Sequence, residues 1–378
     1  MTVSSGWQRA TVSAVALTAV AALAAGCSSS SSGNGTSPLG KGGSALQSSL
    51  PTNFGPAEKT TLNVGVVPAM DSAGFFVALH DGLFSKEGLT INYSPAASSE
   101  TAIGQQLKGH LDISAGNYVS YIEAAAKGDP LEVVSEGSVT QAGAQTIFTM
   151  PSEHINSLSQ LQGKLVGVNG PGNIDYLLDE SVLQQNGLNP KSVVFPDGSD
   201  PASARYHDGG AIPFPDMAGL LASGKLAAAT LAEPFASIAE EQYGAVPLAD
   251  LNQGATSQFP IEGYVVTKQW AQQNPNTLKR FLAALSVGQE ISDSDRPAVE
   301  QAFEALKNPA DGQVSPDIAA VMALDTYPIG IDKTQIQRVA DVMHQFGVLK
   351  SQFNVSSMLM PSSLFNFSQF SSISSASS

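Results

Sequence analysis

The residues of this chain that could do chemistry are few, and most are polar rather than reactive. Five His (80, 110, 154, 207 and 344) are scattered, and no His-Glu-x-x-His pair sets two imidazoles on one helix face to hold zinc. No Gly-x-Ser-x-Gly elbow presents a nucleophilic serine. Cys27 is the only Cys, which excludes an internal disulfide, a Cys-based zinc site and a dithiol redox pair. The densest local signal is Asn169-Gly170-Pro171-Gly172-Asn173, whose glycines would let backbone N–H groups approach a ligand oxygen. It has no Gly-Lys-Ser/Thr to hold a triphosphate, and it lacks the third Gly and the downstream acid of a dinucleotide site. Metal ligation, nucleophilic catalysis and a bound cofactor are therefore not expected.

The other candidates stand where strands give way to helices, and most are open to a structural reading as well. Asp71 and Ser72, which follow Met70, can contact a ligand or cap the next helix. Ser98 and Ser99 can give hydroxyls to an oxyanion or do the same capping. Asn117 and Tyr118 offer an amide contact and an aromatic wall. Glu233 can meet an ammonium group, or cap the helix that opens at Pro234. Phe214 and Tyr264 read as core or hinge packing, and Arg205 as a remote candidate for recognising an anion.

The elements that must position these residues follow from periodicity. Thr61–Val67 is a β-branched run that predicts a strand. Phe75, Phe76, Leu79 and Leu83 recur at helical spacing, which predicts a helix from about Asp71 to about Lys86. Strands are expected at 89–93, 111–115 and 131–135, alternating with helices near 99–108 and 118–127. The alternation restarts at Gln145, with strands expected at 145–149, 164–168, 193–195, 227–231 and 245–248. Helices near 174–186, 214–223 and 234–243 fall between them. After a strand at 263–267, residues 268–348 read almost wholly as helix. Such alternation indicates an α/β fold of mostly parallel sheets flanked by helices, with a helical C-terminal segment. Residues 197–211 carry no periodic signal and read as an inserted surface loop. Two similar α/β halves suggest a ligand cleft at the carboxyl ends of their strands.

Composition narrows the function further. Among 378 residues, 18 Lys+Arg against 33 Asp+Glu give a net charge of −15, which argues against a nucleic-acid partner. The length suits two domains, and 42% hydrophobic residues suffice for a core in each. Residues 1–26 combine Arg9, an apolar stretch and small residues before Cys27, the marks of a secretory signal. The stretch is short and alanine-rich for a membrane span. It resembles a bacterial lipoprotein signal, in which Cys27 would carry the lipid. The Ser/Gly-rich residues that follow read as a flexible spacer, and the Ser-rich C-terminus as a disordered tail.

Several motifs in order resemble one family. Thr61–Val67, Phe75-Phe-Val-Ala78, Gly82-Leu-Phe-Ser-Lys-Glu-Gly-Leu89 and Gly109-His-Leu-Asp112 look like the opening of nitrate/sulfonate/taurine-type substrate-binding proteins of ABC transporters. Ser157-Leu-Ser-Gln-Leu-Gln-Gly-Lys164, Pro213-Phe-Pro-Asp-Met217 and Glu233-Pro-Phe235 continue the likeness, which runs from about Thr60 to about Ala284. This group is also called NMT1/THI5-like. The resemblance implies a two-lobed type II periplasmic-binding-protein fold, with the turn at Met70, Asp71 and Ser72 facing the cleft. It implies a discontinuous lobe I (59–147 plus 262–360), a lobe II (148–261, with the 197–211 insertion), a 27–58 linker and a 361–378 tail. The function it implies is capture of a small sulfonate-, taurine- or nitrate-like nutrient by a monomer on the outer face of the cell membrane, for delivery to a permease. Binding of a pyrimidine or thiamine precursor is the alternative, followed by a related-fold biosynthetic enzyme or a sensor module. The motif of the enzyme branch is Cys-rich and has no counterpart here.

Overall fold

The alternating run Thr61-Leu-Asn-Val-Gly-Val66 forms strand β1 (Thr61–Val66), buried on both faces from Val64 onward, as a central parallel strand must be. The computed structural model describes residues 54–195, 212–307 and 312–369. Cys27, the signal, the spacer up to residue 53, the insertion with Arg205 and residues 370–378 lie outside the described residues. After β1 come α1 (Ala73–His80), α2 (Leu83–Lys86), β2 (Thr90–Pro95), α3 (Ser99–Leu107) and β3 (Ile113–Asn117). Next are α4 (Tyr118–Ala126), β4 (Leu131–Val139), β5 (Gln145–Thr149), β6 (Val166–Gly167) and α5 (Ile174–Gln185). The middle continues with α6 (Phe214–Ala222), β7 (Ala228–Ala232), α7 (Phe235–Tyr243), β8 (Val246–Asp250) and β9 (Pro260–Thr267). The chain then turns helical, with α8 (Lys268–Gln273), α9 (Pro275–Ser294), α10 (Arg296–Glu304), α11 (Pro316–Val321) and α12 (Lys333–Gln345).

The strands build two sheets, one in the order β2-β1-β3-β9-β4 and one in the order β6-β7-β5-β8. The α/β layering is as expected, but each sheet is mixed rather than mostly parallel. β1 runs parallel to β2 and β3, while β9 runs against β3 and β4. In the second sheet β6 and β7 are parallel, and β5 runs against β7 and β8. The reversals fall on β5 and β9, the strands by which the chain enters the second sheet and returns to the first. The two connections lie side by side, with the Thr140 N–H donating to Phe259 C=O at 3.0 Å.

Two glycines shape this frame. The single helix expected up to Lys86 is broken, because Gly82 sits at φ 66°, a left-handed conformation that glycine adopts without strain. Gly288 of α9 lies against α1 so closely that a Cβ would stand 2.2 Å from Gly74 C=O. The body also takes in both flanks of the expected lobes. Arg280 donates to the carbonyls of Phe54 and Gly55, Glu58 accepts from the Asn276 and Thr277 N–H groups at the start of α9, and the Phe54 and Phe365 rings lie 6.0 Å apart. Among the described residues, no helix is long and apolar enough to cross a membrane.

Candidate functional site

Where β1, β3 and β6 end, their following turns and helix starts meet between the sheets around a cavity of ≈ 20 Å³, room for about one water. From the first sheet it is lined by Val67, Asp71, Ser99, Gly116, Asn117, Ile261 and Glu262. From the second come Gln145, Asn169, Ile174, Asp175 and Phe214. Ends of parallel strands are where an open α/β sheet leaves polar groups without partners along the ladder. An apolar vestibule of ≈ 400 Å³ adjoins it, lined by Pro68, Pro95, Ala96, Ala97, Pro213, Pro215 and Asp216, with Val67 and Phe214 shared between the two spaces.

Of the residues singled out in the sequence, Asp71, Ser99, Asn117, Asn169 and Phe214 line the cavity. The others do structural work beside it. Ser98 Oγ accepts from the Thr101 N–H and caps α3, and Asn173 Oδ1 accepts from the Tyr176 N–H and caps α5. Asn117 does both jobs, since its Oδ1 takes the Ser120 N–H at 2.9 Å while its Nδ2 donates to Ser99 Oγ at 2.8 Å. Ser72 is fully buried and donates to Glu262 Oε1 at 2.5 Å. Met70 is buried, and its N–H donates to Glu233 C=O at 2.7 Å, joining the two sheets' sides. Tyr118 is core rather than an aromatic wall: it is fully buried, and a Cβ on Gly263 would lie 2.7 Å from its ring. Glu233 resolves to a cap, accepting from the Ser237 N–H, the Ser237 hydroxyl and the Ala323 N–H. Gly170 and Gly172 do not line the cavity, and a Cβ on Gly170 would stand 3.1 Å from Glu100 Oε2. A carboxylate thus stands beside the loop that was expected to receive a ligand oxygen. Phe214 lines both spaces and stacks on Phe235 at 5.5 Å.

Sequence reading missed Gln145, Asp175 and Glu262, which carry much of the polar lining. Glu262 left one legible trace, a lone carboxylate inside the apolar run Pro260-Ile-Glu-Gly-Tyr-Val-Val266, where an unpaired charge is expensive. Asp175 lies in the first turn of α5, where an acid ordinarily serves the helix dipole, so only its burial and its bond to the Asn169 N–H distinguish it.

The electrostatics are one-sided. Burial, with Asp71 close by, pushes the Glu262 carboxyl well above the usual carboxylate range. Asp325 lies in hydrogen-bonding contact with Asp71, and burial raises both. Burial also lifts Asp175 to about 7, against the Asn169 N–H bond that favours its ionised form. Among the described residues, no Lys, Arg or His lines the cavity. The expectation of a compact sulfonate or nitrate therefore meets, among the described residues, a lining rich in acceptors. No group of three or more His, Cys, Asp or Glu among the described residues could hold a metal ion.

Comparison with solved structures places this geometry in a known fold. The alkanesulfonate-binding protein SsuA from Xanthomonas axonopodis pv. citri superposes with a TM-score of 0.63 at 16% identity, over 81% of this chain and 99% of that one. The nitrate-binding protein NrtA from Synechocystis gives 0.63 at 14% identity, over 85% and 90%. A Candida albicans protein described as having the generic periplasmic binding protein fold gives 0.60 at 17%, over 79% and 96%. No curated protein matches this chain. The NMT1-like family matches residues 55–306, more than half of the sequence and every element from β1 to α10. The chain belongs to the NMT1-like family.

Proposed function

We propose that the chain is the solute-binding component of an ABC importer, held outside the cell membrane by a lipid on Cys27. The observation that carries this reading is the cavity lined from both sheets, beside two adjacent connections that cross between them. A ligand there touches Asp71, Ser99, Asn117 and Glu262 on the first sheet's side and Gln145, Asn169 and Asp175 on the second's. Its binding favours a closed arrangement by its differential affinity for that state, and no bond need be made or broken. A permease that docks only the closed form then receives the solute unchanged. The names of the solved relatives, an alkanesulfonate-binding and a nitrate-binding protein, support the importer class. The Ser/Gly spacer after Cys27 supports a tethered body with freedom to reach its permease.

The test is a thermal-shift screen of the body from Phe54 onward against small metabolites of both charge signs, followed by X-ray scattering of any hit. A ligand that raises the melting temperature saturably and shrinks the radius of gyration supports the reading. Absence of any hit across such a screen overturns it. For the anchor, Cys27→Ser is expected to release the protein from the membrane fraction of a lipoprotein-processing host.

A further inference from the structure

We infer that the cavity between the sheets receives the protonated nitrogen of a small organic amine or amidine, whose apolar body lies in the proline-lined vestibule. The inference rests on the solute-binding reading and names the ligand class for the same site. The first argument is complementarity of hydrogen bonding. Asp71, Asp175 and Glu262 line the cavity as acceptors, and Gln145 adds a fourth. Gln145 is only 2% exposed, and its Nε2 donates to Asp71 while its Oε1 has no partner. A buried acceptor left unpaired beside three carboxyls wants a donor with charge, which an ammonium or amidinium supplies to several of them at once.

The second argument is that an anion would meet more acceptors than donors among the described residues. Each helix start around the cavity gives one N–H to its own cap, Thr101 to Ser98 on α3, Ser120 to Asn117 on α4 and Tyr176 to Asn173 on α5. The Asn117 N–H is given to Ser99 Oγ and the Asn169 N–H to Asp175 Oδ2, each at 2.9 Å. Asp71 after β1, Asp175 on α5 and Glu262 on β9 line the site, with Asp325 after α11 in contact with Asp71 and Glu100 on α3 near Asp175. Burial raises Asp71, Asp175 and Glu262, and a bound cation would draw them back down. An anion would raise them further.

Size supplies the third argument. The cavity of ≈ 20 Å³ fits one polar head, while the adjoining ≈ 400 Å³ falls in the range of small-molecule sites and is walled by Pro68, Pro95, Pro213, Pro215, Val67 and Phe214. An amphipathic cation matches that division.

The experiment titrates the protein with benzylamine, hexylamine and benzamidine, and in parallel with benzenesulfonate, hexanesulfonate and nitrate at equal ionic strength. Calorimetry and thermal shift at about pH 8, above the value of about 7 for Asp175, read the outcome. Expected are saturable binding of the amines, none of the anions, and proton release on amine binding near neutral pH. Glu262→Gln and Asp175→Asn are each expected to weaken amine binding at least roughly tenfold, with unchanged circular dichroism. Because the two changes lie on different elements, one remains informative if the other misfolds. Saturable binding of a sulfonate or nitrate without the amines overturns the inference and leaves the solute-binding reading standing. Amine binding indifferent to both substitutions also overturns it. Failure of every probe defeats both.

Discussion

Asp175 shows how a carboxyl can serve a site while weakening the fold around it. It is almost fully buried, bonded to one backbone N–H, and faces Asp71 and Glu100 rather than any cation. Its folded value of about 7 stands above the ordinary 3.8, so its stabilising contribution is complete below 3.8 and is lost as the pH climbs through about 7. Glu262, Asp71 and Asp325 are displaced in the same direction, by burial and by one another. The ligand-free protein is therefore expected to melt at a lower temperature at about pH 8 than at about pH 5, the reverse of the usual acid sensitivity of carboxylates. Asp175→Asn should flatten that slope and raise the melting temperature at the higher pH by a few degrees. A melting temperature that climbs with pH over this window would count against ionised acid as the source of strain. None of this is visible in residue type alone, since an Asp in the first turn of a helix is ordinary.

At the level of elements, the packing of α9 decides most. Gly288 meets α1 at Gly74, and a Cβ there would stand 2.2 Å from a backbone carbonyl and 2.7 Å from the Ala78 Cβ, neither of which is free to swing away. Gly288→Ala is expected to destabilise by about 3 kcal/mol, read by urea unfolding. The control is Gly104 of α3, where a Cβ meets nothing within 4 Å. Gly104→Ala should stabilise by about 0.5–1 kcal/mol through helix propensity alone. Arg280, also on α9, stands 3.5 Å from the fully buried Glu87 carboxylate and donates to the Glu87, Phe54 and Gly55 carbonyls. Arg280→Ala leaves that carboxylate buried without a counter-charge, so a loss of about 3 kcal/mol is expected in the same assay. The apolar spacing that announced α1, α5 and α9 was legible in the sequence. The closeness of α1 to α9 was not, because a glycine inside a helix looks the same whether it is crowded or open.

For the whole molecule, function turns on contacts that bridge the two sheets' surroundings. Asn169 Nδ2 donates to Ala97 C=O at 2.9 Å, and the Met70 N–H donates to Glu233 C=O. Asn169→Ala removes a bond that exists only when the two sides meet, so it should weaken ligand binding roughly tenfold. The weakening should appear as faster ligand release, with the unfolding midpoint of the ligand-free protein nearly unchanged. Stopped-flow release and scattering of the ligand-saturated form would check this. A large drop in ligand-free stability would instead mark Asn169 as part of the static core.

The alternation of strand and helix and the cap at Ser98 could be read from local spacing. Each depends on neighbours three or four residues away, so hydrophobic period and hydrogen-bonding type suffice to announce it. The reversed directions of β5 and β9, and the gathering of Asp71, Gln145, Asp175, Glu262 and Asp325, could not. Those residues lie up to 254 positions apart and are brought together only where the chain crosses between sheets and comes back. Their charge acquires meaning through shared burial, a property of the assembled interior that no stretch of sequence possesses by itself.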